Sequence, residues 1–309
     1  MTSYSHDNEK LARDYDRLGE IQFHFGQRLV ERMALDRTAR VLDVGCGTGR
    51  LAQWLSGRSE LEGNVVGVDP LPDRIALARE RAPGLRFEIG YAEDLAMFPD
   101  QSFDAVCLMS VFHWIADKTK ALAEIARVLC ADGRFGLTTT PKELHTASPL
   151  AAVFASMFSR PPYRGRIRIQ DFALGKQSCT VTETIDLLRT VGLALVELHV
   201  IERHHTKVSA AEMLDFIEAS SFGNFLSAIP TDLHDTLRTD LRQALEAQSG
   251  GDGLAYRDYG MMVVARKLGG CALKHSGFRA ERHSDDAADD ERSASKPEGT
   301  NRLSQKPGR

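Results

Sequence analysis

The chain has 309 residues, 42% hydrophobic and 27% charged, the make-up of a globular protein able to bury a sizeable core. A formal charge of −4 offers no overall attraction for nucleic acid or an anionic membrane, and no apolar run approaches the roughly 20 residues of a membrane helix. The polar N-terminus has neither the apolar core of a secretory signal nor the acid-poor character of a transit peptide, and the five scattered cysteines contain no C-x-x-C pair, so no zinc site or disulfide framework is expected and a reducing cytoplasm is the natural setting.

Residues 8–36 read as helical, with Leu11, Tyr15, Leu18, Ile21, Phe25, Leu29 and Met33 at helical spacing. An apolar strand over 40–44 runs into a glycine turn and a helix over 48–57. A second strand, 64–69, ends on an acid, and a helix over 73–81 leads to a third strand over 85–90. The fourth strand spans 103–109. A helix over 117–130 and a turn at 131–133 lead to a fifth strand over 134–140. This alternation predicts an α/β fold, a parallel sheet with helices on both faces.

After Pro141 the rhythm changes. The stretch over about 141–182, with three prolines beyond Pro141 and a basic run, reads as a lid insert holding one helix near 150–158. A helix over 182–190 and a strand over 193–202 return to the sheet. A second insert over about 203–230 contains an amphipathic helix at 211–219. A helix over 231–248 then precedes a last strand at 254–267. The segment 269–309 is nearly free of apolar side chains, and this composition predicts a disordered tail.

The strongest chemical signal is Asp43-Val44-Gly45-Cys46-Gly47-Thr48-Gly49 between a buried strand and a helix. Its glycines let the backbone turn sharply and approach a ligand closely. The acid before them can accept hydrogen bonds from a cationic amine. A dinucleotide fingerprint, G-x-G-x-x-G, would need its third glycine at position 50, where Arg50 stands, so the spacing argues against a nicotinamide cofactor. Asp69 ends the next strand 20 residues beyond Gly49. There it suits the two hydroxyls of a ribose, or else serves as a turn acid before Pro70.

Four segments, LDVGCGTGR (42–50), VVGVDP (65–70), GYAEDLAMFPDQSFDAVCLMSVFHWIAD (90–117) and EIARVLCADGRFGLTT (124–139), resemble the class I, Rossmann-like methyltransferases that use S-adenosylmethionine, in their broad small-molecule group. The resemblance implies a doubly wound, seven-stranded, mostly parallel sheet with an antiparallel last strand, plus helical lid inserts, as one methyltransferase domain over 1–268. It implies that Asp43, Gly45, Cys46, Gly47 and Gly49 form the cofactor loop, with the methionine part on Asp43, Gly45 and Gly47. Asp69 and the following Pro70 would meet the ribose, Ala92 and Glu93 would frame the adenine, and Ser110 would pass near the sulfonium. Tyr91 departs from the aspartate that the family often has there.

The cofactor implied is S-adenosylmethionine, with no metal. The partner implied is a small-molecule methyl acceptor, not a nucleic acid or a membrane. His113, in Phe112-His113-Trp114, is the candidate catalytic base or acceptor-orienting group, with loop packing as its other reading. His145 is a weaker candidate, and His204 and His205 read as a solvated strand end. Tyr15 either closes over the cofactor or packs its helix. Arg164, Arg166 and Arg168 either attract an anionic acceptor or form a solvated edge. Phe154, Phe158, Phe216, Phe222 and Phe225 either wall an apolar pocket or pack between inserts. A malonyl-carrier type carboxyl O-methyltransferase and a quinone-type C-methyltransferase are the nearest alternatives, and a non-catalytic cofactor-binding regulator is the alternative from another class.

Overall fold

The computed structural model describes residues 6–58, 64–147, 149–167, 177–227, 229–250 and 253–269. Strands β1 (Val41–Val44), β2 (Val65–Asp69), β3 (Arg86–Ile89), β4 (Phe103–Met109), β5 (Leu129–Thr139), β6 (Leu193–Val208) and β7 (Leu254–Lys267) form one sheet in the order β3-β2-β1-β4-β5-β7-β6. The pairs β1–β2, β1–β4, β2–β3 and β4–β5 are parallel, and β7 runs antiparallel to both β5 and β6. Six strands thus share one direction and the last is reversed. The run Val41-Leu42-Asp43-Val44 is buried at every position, as a central parallel strand covered on both faces must be.

The helices are α1 (Glu9–Leu18), α2 (Glu20–Met33), α3 (Arg50–Ser56), α4 (Pro72–Arg81), α5 (Lys118–Val128), α6 (Pro149–Phe158), α7 (Val181–Thr190), α8 (Ala210–Ser220) and α9 (His234–Glu246). Leu29 and Met33 of α2, Leu55 of α3 and Ile75 of α4 pack on one face of the sheet with Val41 and Cys107. Leu122 and Ile125 of α5 and Leu188 of α7 cover the other face with Leu42 and Val106. A third apolar cluster, including Phe154, Met213, Phe225 and Leu237, joins α6, α8 and α9. It takes up Phe154, Phe158 and Phe225 as insert packing.

Three sequence expectations change. The apparent helix over 8–36 is two helices broken at Gly19, whose N–H bonds to the Tyr15 carbonyl, where a Cβ would lie 2.7 Å from that oxygen. The apolar stripe looks continuous because its halves serve different partners: α1 lies on α4 and α8, whereas α2 lies on β5 and β7. Strand β6 does not stop at residue 202 but runs to Val208, so the second insert begins after it and His204 lies within the strand, opposite Arg257. Its polar end is held by the β7 ladder and by Arg203, which donates to Asp258 at 2.7 and 2.8 Å. The expected turn at 131–133 lies inside β5 as an irregularity of the β4 register, with Asp132 at φ 62°. The expected tail beyond residue 269, the lid stretch 168–176 and Arg168 fall outside the described residues.

Gly49 is fixed by packing. It sits at φ +75°, and a Cβ there would stand 2.9 Å from the Ala78 Cβ and 3.0 Å from the Phe87 ring. Gly49→Ala should therefore cost about 2 kcal/mol or more of stability, read from urea unfolding. An unchanged midpoint would show that α3 and α4 can move apart freely.

Candidate functional site

At the carboxyl ends of β1 and β2 the chain turns back on itself through residues 45–49. The Gly45 and Cys46 amides both donate to the Val68 carbonyl, at 2.7 and 3.0 Å, and the Gly49 amide donates to the Cys46 carbonyl at 3.0 Å. The Gly47 amide donates to Asp69 Oδ2 at 2.9 Å. A Cβ on Gly45 would collide with the Val111 side chain, whereas nothing lies within 4 Å of one on Gly47. The turn spends its amides on the fold and leaves space above Gly47.

The floor of the resulting cleft is acidic. Asp43 is 1% exposed, and neither of its oxygens has a hydrogen-bond partner among the described residues. Burial, reinforced by nearby Asp69, pushes its pKa up to about 7. Asp69 is buried too, but its Oδ1 accepts from the Leu71 amide at 3.0 Å and its Oδ2 from Gly47. Burial raises the Asp69 pKa against the pull of Arg74 and these two amides. Two amides leave a carboxylate with lone pairs to spare.

The roof comes from distant parts of the chain. Arg74, on α4, is 3% exposed and donates to Asp7 at 3.0 and 3.2 Å and to the Ala219 carbonyl at 3.0 Å. Its guanidinium lies 4.7 Å from the Tyr15 ring centre and 4.8 Å from that of Phe222. Trp114 meets Phe222 edge-on at 4.8 Å. A second tie runs through Asp16, which accepts from Thr48 Oγ1 at 2.5 Å and from Arg81 at 2.8 and 2.6 Å. Arg50 donates to the Asp16 carbonyl at 2.9 Å and to Glu20 at 2.6 Å, and stacks 4.4 Å over Phe23. Floor and roof enclose a cleft of about 110 Å³ with an open mouth.

Among the expected site residues, Asp43, Gly45, Cys46, Gly47, Asp69, Pro70 and Ser110 line this cleft, as do Tyr15, Trp114 and Phe222. Ser110 holds φ +56°, fixed by its amide on the Thr138 carbonyl and hydroxyl, each at 3.0 Å. Gly49, Ala92, Glu93 and His113 are not among the lining residues. Gly49 instead closes α3 onto α4 and β3, Ala92 belongs to the core on the other face, and Glu93 lies near Lys118.

His113 is half-buried, with Nδ1 3.1 Å from Thr139 Oγ1 and its ring 5.1 Å from that of Trp114. Enclosure of the ring, with the charges of His145, Lys118 and Arg203, lowers its pKa to about 3. His145 pairs with Ser178 Oγ at 2.8 Å. Arg166 is bound to Asp232 at 2.8 and 2.9 Å on an exposed edge. Sequence reasoning missed Arg74 and Gln22. Their one signal was a polar residue at an apolar helical spacing, beside Ile75 and Ala78 in α4 and one turn before Phe25 and Gly26 in α2.

Asp43 yields a prediction whose sign is fixed by its raised pKa. Between about pH 4 and 7 the unfolded chain gives up this proton more readily than the folded one. The buried carboxyl therefore costs stability that grows over that window and levels off above it. Asp43→Asn should stabilise the ligand-free protein by on the order of 2–4 kcal/mol at about pH 8, and by much less near pH 4. Thermal melts of both proteins across this range check it. An equal effect at both ends would mean that the carboxyl is not buried as described.

Residues 42–137 match the family described as a methyltransferase domain. An uncharacterized methyltransferase of Mycobacterium tuberculosis is 38% identical over 104 residues, 34% of this chain and 41% of the relative. A demethylmenaquinone methyltransferase of Thermus thermophilus is 37% identical over 141 residues, 43% of this chain and 63% of the relative. The chain thus spans less than two thirds of the length of these curated relatives. The YcgJ protein of Bacillus subtilis shares the fold, with a TM-score of 0.54 and 21% identity over 80% of this chain and 99% of that one. Residues 42–137 thus resemble a methyltransferase domain, and the seven-stranded sheet, six strands one way and the last reversed, is the α/β fold that the chain shares with YcgJ.

Proposed function

We propose that the protein transfers the methyl group of S-adenosylmethionine to a small-molecule acceptor. The observation that carries this reading is the Asp43 carboxylate, buried at the cleft floor with no partner among the described residues. An orphaned buried acid is costly, and a ligand ammonium relieves that cost. The open space above Gly47 and the spare lone pairs of Asp69 suit an amino-acid chain and a ribose side by side. The amides of Gly45, Cys46, Gly47 and Gly49 are committed to the fold, which disfavours a pyrophosphate on them.

The cofactor, when bound, supplies a methyl already activated on a sulfonium. The protein's own contribution is then alignment. Asp43 would hold the ammonium and Asp69 the ribose hydroxyls, while the fixed backbone of Ser110 borders the path between donor and acceptor. Transfer breaks one carbon–sulfur bond and forms one bond from that carbon to the acceptor. A proton leaves the acceptor only where it arrives protonated. His113 is a poor base for that proton, since a conjugate acid of pKa about 3 scarcely holds it at neutral pH. Its bond to Thr139 and contact with Trp114 fit a role in holding the loop after β4.

Calorimetric titration with S-adenosylmethionine and, separately, with NADH tests the cofactor. Binding of NADH alone would overturn the proposal. Incubating purified protein with a cell extract and a labelled methyl donor, then identifying the labelled product, tests turnover. Cofactor binding without any labelled product would favour a non-catalytic regulator. Asp69→Ala should weaken S-adenosylmethionine by about ten- to a hundredfold, and unchanged affinity in a folded variant would remove Asp69 from the site. His113→Ala should lower the melting temperature while turnover falls less than about tenfold. A loss of about a hundredfold or more with an unchanged melt would restore His113 as the base.

A further inference from the structure

The cleft contains a second orphan. Gln22 lines it, and its Oε1 is buried without a hydrogen-bond partner among the described residues. No ligand group considered so far accounts for it.

Its position comes from the way α2 lies on the sheet. Met33, at the far end of α2, has its sulfur 3.7 Å from Cys107 Sγ, and Cys107 is level with Asp43 in the β1–β4 register. Gly26 packs beside Met109, at the carboxyl end of β4, where an added Cβ would sit 3.6 Å from that side chain. The helix therefore climbs past the sheet edge toward its N-terminus, and Gln22 lies one turn beyond Gly26. Eleven residues of helix, ~16 Å of rise, separate Met33 from Gln22. An ammonium on Asp43 would lie over β1, whereas Gln22 lies beyond the end of β4. The two orphans face different groups, one over β1 and the other beyond the end of β4.

The lining of the cleft that Gln22 shares defines what that second group is. Phe23, Met109, Trp114 and Phe222 share the cleft with it. Its cationic lining residues are already engaged: Arg50 with Glu20 and the Asp16 carbonyl, Arg74 with Asp7 and the Ala219 carbonyl. Among the described lining residues, none offers a free positive charge to a carboxylate. A buried amide oxygen asks for a donor.

We infer that Gln22 recognises the methyl acceptor, and that this acceptor is a neutral, largely apolar molecule presenting a hydroxyl or N–H to the Gln22 carboxamide. The inference rests on the methyltransferase reading above. Gln22 is a positioning residue: its oxygen accepts a hydrogen bond and moves no proton. This favours neutral ring acceptors over carboxylates and carrier-bound acids.

The test uses three probes of one shape, 2-naphthol, 2-methoxynaphthalene and 2-naphthoate, titrated calorimetrically into the full chain with and without S-adenosylhomocysteine. On the loaded wild-type protein 2-naphthol should bind about tenfold more tightly than 2-methoxynaphthalene, and more tightly than 2-naphthoate. In Gln22→Leu, which keeps the volume and removes the orphaned oxygen, the preference for naphthol over its methyl ether should vanish while S-adenosylhomocysteine affinity stays level. Gln22→Glu should weaken 2-naphthoate further, and its melt shows whether the site tolerates polar change. Tighter binding of 2-naphthoate, a preference that survives Gln22→Leu, or no binding of 2-naphthol would overturn the inference. Failure of S-adenosylhomocysteine to bind would instead overturn the methyltransferase reading, because the naphthol preference is also measured without it.

Discussion

The site depends on the close approach of three backbones at residues 45–49. Val68 accepts two amides from the turn, Asp69 accepts a third, and Ala78 and Phe87 fill the space where a Gly49 side chain would be. A strand, a turn and the next strand are thereby tied into one rigid unit, which brings the acids at the ends of β1 and β2 into the same cleft. The same ties use up the amides that would otherwise attract an anion. The cleft beside the turn presents the carboxyls of Asp43 and Asp69 in place of those amides.

Above this unit, order is imposed by charge. Arg74 lies between the rings of Tyr15 and Phe222 and bonds to Asp7 and Ala219, while Asp16 gathers Thr48 and Arg81. A buried ion pair is a weak source of stability in itself, because desolvation offsets most of its attraction. Its geometric demand is strict, however, and here it sets where α1 and α8 sit over the floor. The floor acids thus face a roof whose own charges are neutralised locally, so their field is directed at whatever occupies the gap.

Much of this was legible in the sequence, for physical reasons that differ by element. The strands at 103–109 and 254–267 each hold an apolar run, Ala105–Met109 and Met261–Ala265, in a segment that follows a clear turn. Asp43 and Asp69 were visible because an acid at the end of a buried strand is an anomaly. Strand β6 was cut short in the reading because its last residues are polar and held by a partner 50 or more positions away, as in the Arg203–Asp258 pair with its separation of 55. The break at Gly19 was hidden by an apolar stripe that continues across it. Gly49 was read as part of the ligand loop, and its packing against Ala78 and Phe87 could not be seen from the sequence. Arg74 and Gln22 were passed over because one polar residue on a helix acquires meaning only from what stands across the cleft.

The reach of Arg74 also bears on how the molecule assembles. Its partners lie 67 and 145 residues away in the chain, whereas the turn and its strands are built from contacts within a few tens of residues. Local β-α-β units close quickly, and links of long sequence separation close late. During synthesis the residues of the floor emerge well before Ala219 and Phe222, so the roof closes only after they do. Desolvation of Asp43 is postponed to the last stage of folding, when the roof arrives. A nascent chain reaching that stage beside its ligand can bury a neutralised pair in place of a bare carboxylate.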